Sequence, residues 1–371
     1  MSQRNTIGST ENSRSYAHPH VGFSPQSSDD LQNAVTGCYN VSASASTPDC
    51  SAGPIEEWDV SKVTSMHKMF AGVSKFKQNL SKWNVAQVVD MSSMFFKASA
   101  FDGDLSKWDV SQVTNMYQMF DNARSFNQDL SKWVVSRVTN MGFMFTVAKS
   151  FNKKLSQWDV SRVTDMREMF AGAQSFNHDI SEWDVTQVYA VDWMFYYAEN
   201  FNRDLSKWKI SRITDFDYMF AGANSFNQEL SAWDVSRVTK MNNMFYQATS
   251  FNQELSAWDV SRVTGMGGMF RKAISFNTDL SKWNVSQVAD MHVMFGGATV
   301  FNQDLSPWDV SRVSKMQYMF DGAISFNQIL CGKAWVHSEA SQDHMFNNSG
   351  GSINAICGAW LLGLLCYFFV L

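Results

Sequence analysis

The residues best suited to metal chemistry form a column of carboxylates that recurs at one position of a repeating pattern. Stacked carboxylates about 5 Å apart repel one another, and calcium coordination would relieve that repulsion. Val134 and Lys209 interrupt the column, however, and an arginine-rich column lies three residues further on. We therefore interpret the carboxylates as a solvated surface that the arginines neutralise. The acidic residues are Asp59, Asp109, Asp159, Asp184, Asp234, Asp259 and Asp309, and the basic ones are Arg137, Arg162, Arg212, Arg237, Arg262 and Arg312.

Methionine and histidine could also bind metals, but their spacing indicates other roles. Methionines recur in M-x-x-M pairs, which would suit a cuprous ion. Each pair lies beside phenylalanine in nearly every repeat, as expected of an adaptable core. The seven histidines form no H-E-x-x-H motif, and no G-x-S-x-G motif or phosphate-binding glycine loop is present. We predict no catalytic residue, no metal site and no cofactor, and hence a protein that is not an enzyme.

The charge balance narrows the classes of partner. The chain has 371 residues, with 30 Lys and Arg against 35 Asp and Glu, so its formal net charge is −5. No basic block is present, which argues against a nucleic-acid partner, because such binding requires neutralisation of phosphates. The hydrophobic content of 45% excludes a mainly disordered chain.

A period of 25 residues positions these side chains. Tryptophan recurs at that step eleven times, from Trp58 to Trp308. Met-Phe pairs keep the same step, and a second phenylalanine column runs from Phe76 to Phe326. One unit cannot bury so many aromatic side chains, whereas stacked units can. We predict that the Trp, Met and Phe columns fill a continuous core.

The unit that begins at Leu105 indicates how each coil is built. Leu105, Trp108 and Val110 have the spacing of a leucine-rich-repeat strand. Apolar residues at three- and four-residue steps over residues 113–123 predict a short helix or 3₁₀ turn with one apolar side. We expect the asparagine at the turn, here Asn127, to satisfy backbone groups. The predicted fold class is α/β, a leucine-rich-repeat-like solenoid of about 11–12 coils, each with a short parallel strand and a short helix.

The repeat W-D-V-S-x-V-T-x-M-x-x-M-F-x-x-A-x-S-F-N-Q resembles that of BspA-like leucine-rich-repeat surface proteins. That family includes mycoplasma surface lipoproteins and expanded families in protists such as diatoms. The resemblance spans about residues 55–330, where the copies keep register. It implies a surface-exposed interaction protein with no assigned active site to carry over. The chain departs from the family in showing no lipobox and no N-terminal signal peptide.

The segments before the repeats predict a leader and a cysteine pair. Residues 1–50 are polar and rich in Ser and Asn, which predicts a disordered leader ahead of a solenoid at 51–330. Cys38 and Cys50 flank the first coil, and would form a disulfide cap in an oxidising compartment or remain free thiols in the cytosol. Sequons are candidate N-glycosylation sites if the chain enters the secretory pathway, and they lie at Asn40, Asn79, Asn284 and Asn347.

The repeat pattern decays after Phe326. Residues 331–352 are predicted to be a degenerate capping repeat and a small-residue linker, and residues 353–371 are almost entirely apolar. The apolar segment fits a membrane-spanning helix, a cleaved glycolipid-anchor signal or a buried capping helix. Because it is hydrophobic all round, we favour a membrane-associated protein, held at the cell surface through a C-terminal helix or a glycolipid anchor.

The clearest irregularity in the repeats lies in the sixth and seventh coils. The replaced residues include several aromatic side chains, which are typical of protein-binding hot spots, although neutral drift would also explain them. We predict a non-enzymatic interaction or adhesion protein that presents a rigid scaffold to a protein or glycan partner. The alternative is a self-associating structural or cell-wall component. The candidate partner-binding residues are Tyr189, Trp193, Tyr196, Tyr197 and Lys209.

Overall fold

The computed structural model describes residues 22–39 and 50–355. Its regular elements lie at the two ends of the repeat array. In chain order they are helix α1 (Ser28–Cys38), a 3₁₀ helix (Ile55–Glu57), strand β1 (Ile329–Leu330), helix α2 (Lys333–Val336) and strand β2 (Ser352–Ile353). Strands β1 and β2 pair in parallel, with Ile329 opposite Ser352. Between these ends, residues 58–328 consist of turns and isolated parallel bridges.

Each coil pairs with the next through a ladder of backbone hydrogen bonds. In one coil the amides of Met116, Gln118 and Phe120 donate to carbonyls of the following coil, each at 2.9 Å. The amides between them close turns within the coil, as where Met119 donates to Met116 (3.2 Å). Alternate amides thus bond between coils and within them, which satisfies the backbone of the segment. We call residues 114–122 and their equivalents the ladder segment, and its outward side the ladder face.

This arrangement corrects the predicted position of the secondary structure. The segment that we predicted as a helix, residues 113–123, is the one that pairs between coils. Among the described residues, neither a strand at Leu105–Val110 nor a helix in each repeat is present. The three- and four-residue spacing of apolar residues instead arises from successive tight turns, which return side chains to the core at a similar step. The repeat solenoid is present, but its coils are built from turns.

Two residues in each ladder segment adopt left-handed backbone conformations. In one coil these are Gln118 (φ 56°) and Asn122 (φ 58°), each at the third position of a hydrogen-bonded turn. A positive φ at that position defines a type II turn and costs a non-glycine residue about 1 kcal/mol or more. The inter-coil hydrogen bonds on both sides hold these residues in place, so residues of many types are accommodated there.

The core confirms the inward assignment of the Trp, Met and Phe columns. Trp183, for example, is only 4% exposed, and its indole Nε1 donates to the Leu155 carbonyl of the preceding coil (3.1 Å). The same bond recurs along the column from Trp83 to Trp308. Phenylalanine rings stack within a coil and between coils, as Phe145 does with Phe151 (4.0 Å) and with Phe170 (5.7 Å). The interior is therefore one continuous aromatic stack.

The asparagine column forms the expected structural ladder. The Asn127 side chain accepts a hydrogen bond from the Asn152 amide of the next coil (3.0 Å), and Asn152 does the same for Asn177 (3.1 Å). Each amide side chain therefore satisfies a turn backbone group, as buried or partly buried polar groups require.

The N-terminal segment differs from the disordered leader that we predicted for residues 1–50. Its described part, residues 22–39, contains α1, which Ser27 caps by accepting from the Asp30 amide (3.1 Å). Leu31 and Val35 of the helix are buried against the first coil. The first coil has an unpaired edge, and covering it with an amphipathic helix stabilises the array more than a solvated leader would.

A disulfide joins Cys38 at the end of α1 to Cys50, with a Cα separation of 4.7 Å. At the other end, residues 331–352 form a twelfth coil that contains α2. Trp335 reproduces the core contact, since its Nε1 donates to the Leu305 carbonyl (3.0 Å). The structure does not describe residues 1–21, 40–49 and 356–371. Most of the apolar segment that we predicted at 353–371 therefore lies outside the described residues.

Candidate functional site

The ladder face carries a cluster of aromatic side chains at the middle of the array. Trp193 and Tyr218 occupy the same left-handed position in adjacent coils, so their rings stack with centroids 3.8 Å apart. Tyr196 packs its edge against Trp193 (4.5 Å) and lies 4.6 Å from Tyr197. These four residues, which we call the aromatic cluster, are partly exposed.

Tyr197 is held flat against the ladder by a glycine in the next coil. A Cβ atom on Gly222 would lie 2.8 Å from the Tyr197 ring, so only glycine leaves room for that ring. The Tyr197 hydroxyl donates to Oε1 of Gln247 (2.7 Å), two coils away. The side chain therefore spans three coils and is fixed at both ends, which favours a preorganised surface.

Half-buried carboxylates surround the cluster. Burial raises the pKa of Glu168, Asp192 and Asp217 above the usual carboxyl range. Neighbouring acids add to the effect, since the charge of Asp215 raises the pKa of both Asp192 and Asp217. We call Glu168, Asp192 and Asp217 the acidic border. A cationic group placed there would relieve both the desolvation and the repulsion.

Two basic side chains compensate part of this charge. Arg167 Nε pairs with Asp165 (3.0 Å), and Lys240 Nζ pairs with Asp215 (2.9 Å). Both bases contact residues next to the acidic border and leave its three carboxylates without an ion pair in the described part of the chain. The face is therefore aromatic and acidic together.

The structure separates the five predicted partner-binding residues. Trp193, Tyr196 and Tyr197 meet in the aromatic cluster. Tyr189 occupies the position held by threonine in most other coils, which we call the threonine column, and is 50% exposed. Lys209 replaces an aspartate in the acidic column, where its charge helps to lower the pKa of Asp184 after the hydrogen bonds from Thr186.

Sequence reasoning missed Tyr218 and the acidic border. The alignment of the coils would have identified Tyr218, because it follows Trp193 by one period of 25 residues. Had the ladder been known, adding or subtracting 25 from each irregular aromatic would have shown which side chains stack.

Turn hydrogen bonds stabilise the acidic column more than the predicted arginines do. Asp109 accepts a hydrogen bond from the Ser111 amide (3.0 Å), and bonds from the Ser111 side chain and backbone lower its pKa. The same contact recurs at Asp159 and Asp309. The neighbouring arginines make no ion pair with these carboxylates within the described residues. The charges of Arg237 and Arg312 still lower the pKa of Asp234 and Asp309, as a smaller effect than the turn hydrogen bonds.

The remaining candidate sites are distributed along the rod. The methionine pairs are buried in the core. Over residues 22–39 and 50–355, no group of three or more His, Cys, Asp or Glu side chains is arranged to hold a metal ion. Asn79 and Asn284 are exposed, and each accepts a bond from a following Ser amide. Asn40 lies outside the described residues.

No helix in the described ranges is both long enough and apolar enough to cross a lipid bilayer. Residues 356–371 fall outside those ranges, so the membrane prediction for the C-terminal segment stays a prediction.

Parallel coils, a stacked core and capped ends define the class of this protein as a repeat solenoid. The sequence matches a family model described as "Mycoplasma protein of unknown function, DUF285" in four overlapping segments, residues 36–158, 145–258, 218–335 and 250–360. Because these segments together cover most of the chain, the chain belongs to the DUF285 family. The narrower resemblance to BspA-like proteins stays a prediction.

Two further comparisons add little to the family assignment. No curated protein matches the sequence. A chain in a crystal structure of a TLR13–ssRNA13 complex matches with a TM-score of 0.25 and 10% sequence identity. The match covers 80% of this chain and 54% of that one, so this protein spans about half of the TLR13 chain.

Proposed function

We propose that this chain is a non-enzymatic interaction protein whose partner binds at the aromatic cluster. The observation that supports this proposal is the stacked pair Trp193–Tyr218, flanked by Tyr196 and Tyr197 on a rigid ladder. Exposed Trp and Tyr side chains dominate binding energy at protein interfaces because they bury a large area at low entropic cost. A rigid solenoid presents them without a reorganisation penalty.

The acidic border favours a polypeptide partner that carries basic side chains. An arginine or lysine would stack against the rings and pair with Glu168, Asp192 or Asp217. Such a cation would lower the raised carboxyl pKa values and so gain energy that a neutral sugar would not. A glycan partner is the second possibility and is distinguished by the test below.

The proposed location is the cell surface. The Cys38–Cys50 disulfide supports this proposal, because disulfides persist in oxidising compartments. An anchor in residues 353–371 is part of the same proposal and rests on the apolar sequence.

Selection from a peptide-display library tests the partner class. The immobilised full chain is expected to enrich peptides rich in arginine and lysine. Trp193→Ala combined with Tyr196→Ala should lower the affinity for the selected peptides about tenfold or more, since hot-spot aromatics contribute 2 kcal/mol or more of binding free energy. The same variants are then compared on a glycan array.

A matched control lies two coils earlier. Phe143 has the same left-handed conformation as Trp193 (φ 60° against 61°), and it packs edge-on against Tyr117 (5.3 Å). Tyr117→Ala combined with Phe143→Ala should leave peptide affinity unchanged. Equal losses in both double variants, or enrichment of glycans alone, would contradict the proposed partner. Concentration-dependent oligomers with no selected partner would instead favour the self-associating structural rod.

A further inference from the structure

A second surface feature lies outside the aromatic cluster, where the arginine column passes beside the threonine column. Here a shallow groove of about 640 Å³ is lined by Thr214, Arg237, Thr239, Ser261, Arg262, Thr264 and Gln287. Arg237 and Arg262 occupy the same position in adjacent coils, about 4.8 Å apart along the rod. Both arginines are exposed.

The guanidinium groups of the groove are not used by the fold. Within the described residues, Arg237 and Arg262 make no hydrogen bond and no ion pair, whereas Arg212 and Arg312 each donate to a glutamine of the preceding coil (2.6 and 2.7 Å). Two unpaired like charges one coil apart repel each other, so an anion that bridges them would be stabilising.

The nearby acids interact with the arginines but do not line the groove, since the charge of Arg237 lowers the pKa of Asp234 after the larger effect of hydrogen bonds from Ser236. Asp234 and Asp259 accept hydrogen bonds from the Ser236 and Ser261 amides (3.1 and 3.0 Å), which occupies one oxygen of each carboxylate. The acidic column is also one carboxylate short in the coil before them, because Lys209 stands at that position. The groove lining therefore contains two arginines and no carboxylate, although the whole chain is acidic.

We propose that this groove binds a sulfated polysaccharide, with Arg237 and Arg262 contacting successive sulfate groups. The hydroxyls of Thr239 and Thr264 donate to carbonyls of the preceding coil (3.2 and 3.1 Å) and would accept hydrogen bonds from the sugar. Arginine suits this ligand because its planar fork donates two hydrogen bonds to an oxyanion. The groove contains no aromatic ring on which a base could stack, which disfavours a single-stranded nucleic acid. The disulfide at the N-terminal end also favours a compartment where polysaccharides are encountered.

Heparin binding to the full chain tests this proposal, with unsulfated dextran and a single-stranded oligonucleotide of similar charge as comparison probes. Wild-type protein is expected to bind heparin with an affinity that falls as salt rises. Arg237→Gln combined with Arg262→Gln should weaken binding about tenfold or more and reduce the salt dependence. Both side chains are exposed and unbonded, so thermal unfolding should be unchanged.

The control is a second basic groove on another face, lined by Lys97, Ser99, Asn122, Arg124 and Ser125. Lys97→Gln combined with Arg124→Gln removes the same charge and should change heparin affinity less than twofold. Three outcomes would overturn the proposal: no heparin binding by the wild type, equal weakening by the two double variants, or binding of dextran or the oligonucleotide as tight as that of heparin. Trp193→Ala should not affect heparin, which separates this site from the aromatic cluster.

Discussion

Inside the solenoid, the position of Trp108 is tryptophan in all eleven coils, whereas the position of Gln118 on the ladder face holds ten different residue types in the same coils. The interior must stack identical shapes, because aromatic rings of one coil pack on those of the next, as Trp133 does on Trp158 and Phe145 on Phe170. The ladder face is held by backbone hydrogen bonds, which do not depend on the side chain. The comparison shows that packing restricts the residue types in the interior, whereas the residue types on the ladder face can vary.

The left-handed positions explain why diversity collects on this face. Trp193, Phe143 and Glu168 share one backbone conformation, with φ between 51° and 61°, despite their different side chains. Every non-glycine residue pays a similar strain there, so exchange between types costs little stability. A binding surface can therefore change without disturbing the core.

The largest expected contrast is between Trp183→Ala in the core and Tyr189→Ala on the surface. Trp183 is 4% exposed and donates to a backbone carbonyl, so its loss should cost about 3–5 kcal/mol of unfolding free energy. Tyr189 is 50% exposed, and its loss should cost within about 0.5 kcal/mol. Urea denaturation followed by circular dichroism measures both values.

The Trp183→Ala variant should also change cooperativity. Each coil contacts only its neighbours, so a central cavity weakens the coupling between the two halves of the array. A second unfolding transition is expected. Equal stability losses in the two variants would show that the interior and the surface are not distinguished as described.

The sequence predicted the interior well and the path of the backbone poorly. The 25-residue period identified every core column from Trp58 to Trp308, because burial repeats with the residue type. It could not distinguish a helix from successive turns, since residues 113–123 return apolar side chains at the same three- and four-residue steps in either case. The left-handed residues gave no signal, because only some of them are glycine.

The candidate site was only partly predictable for the same reason. Trp193, Tyr196 and Tyr197 stood out as exceptions to the repeat, but which of them contact each other depends on the ladder. Tyr189 was grouped with them by closeness in sequence, although the turn between them places it in another column.

A smaller contrast compares two glycines at the same ladder position, Gly222 (φ 72°) and Gly322 (φ 69°). A Cβ on Gly322 meets its nearest atom at 3.7 Å, so Gly322→Ala should cost about 1–2 kcal/mol from backbone strain alone. On Gly222 the same atom would lie 2.8 Å from the Tyr197 ring, so the steric overlap should make Gly222→Ala cost about 1 kcal/mol more.

A double variant isolates the contact with the ring. Gly222→Ala combined with Tyr197→Ala should lose the extra penalty, so the two changes should be strongly non-additive. Thermal unfolding and partner binding are both measured. If Gly222→Ala and Gly322→Ala behave alike, the ring is not held against the ladder as described.

The smallest contrast is between two aspartates that respond oppositely to pH. Asp121 is 5% exposed and burial raises its pKa, while hydrogen bonds from Ser111 lower the pKa of the exposed Asp109. Asp121 therefore stabilises the fold below the ordinary carboxyl pKa of about 3.9 and loses that contribution as pH rises through its raised value. Asp109 stabilises the fold above the ordinary pKa and loses its contribution as pH falls through its lowered value.

Substitution of each aspartate by asparagine tests these opposite pH dependences of stability. From pH 3 to pH 7, the urea midpoint of Asp121→Asn should rise relative to wild type, because the variant no longer buries a charge. Over the same range the midpoint of Asp109→Asn should fall relative to wild type. The corresponding loss of unfolding free energy should be typical of a surface change, within about 0.5 kcal/mol. Since both residues lie in one coil, opposite slopes would show that a single repeat unit sets an inward and an outward environment only twelve residues apart. Slopes of the same sign would mean that Asp121 is solvated, and the ladder segment would then have to turn its side chains outward where the structure buries them.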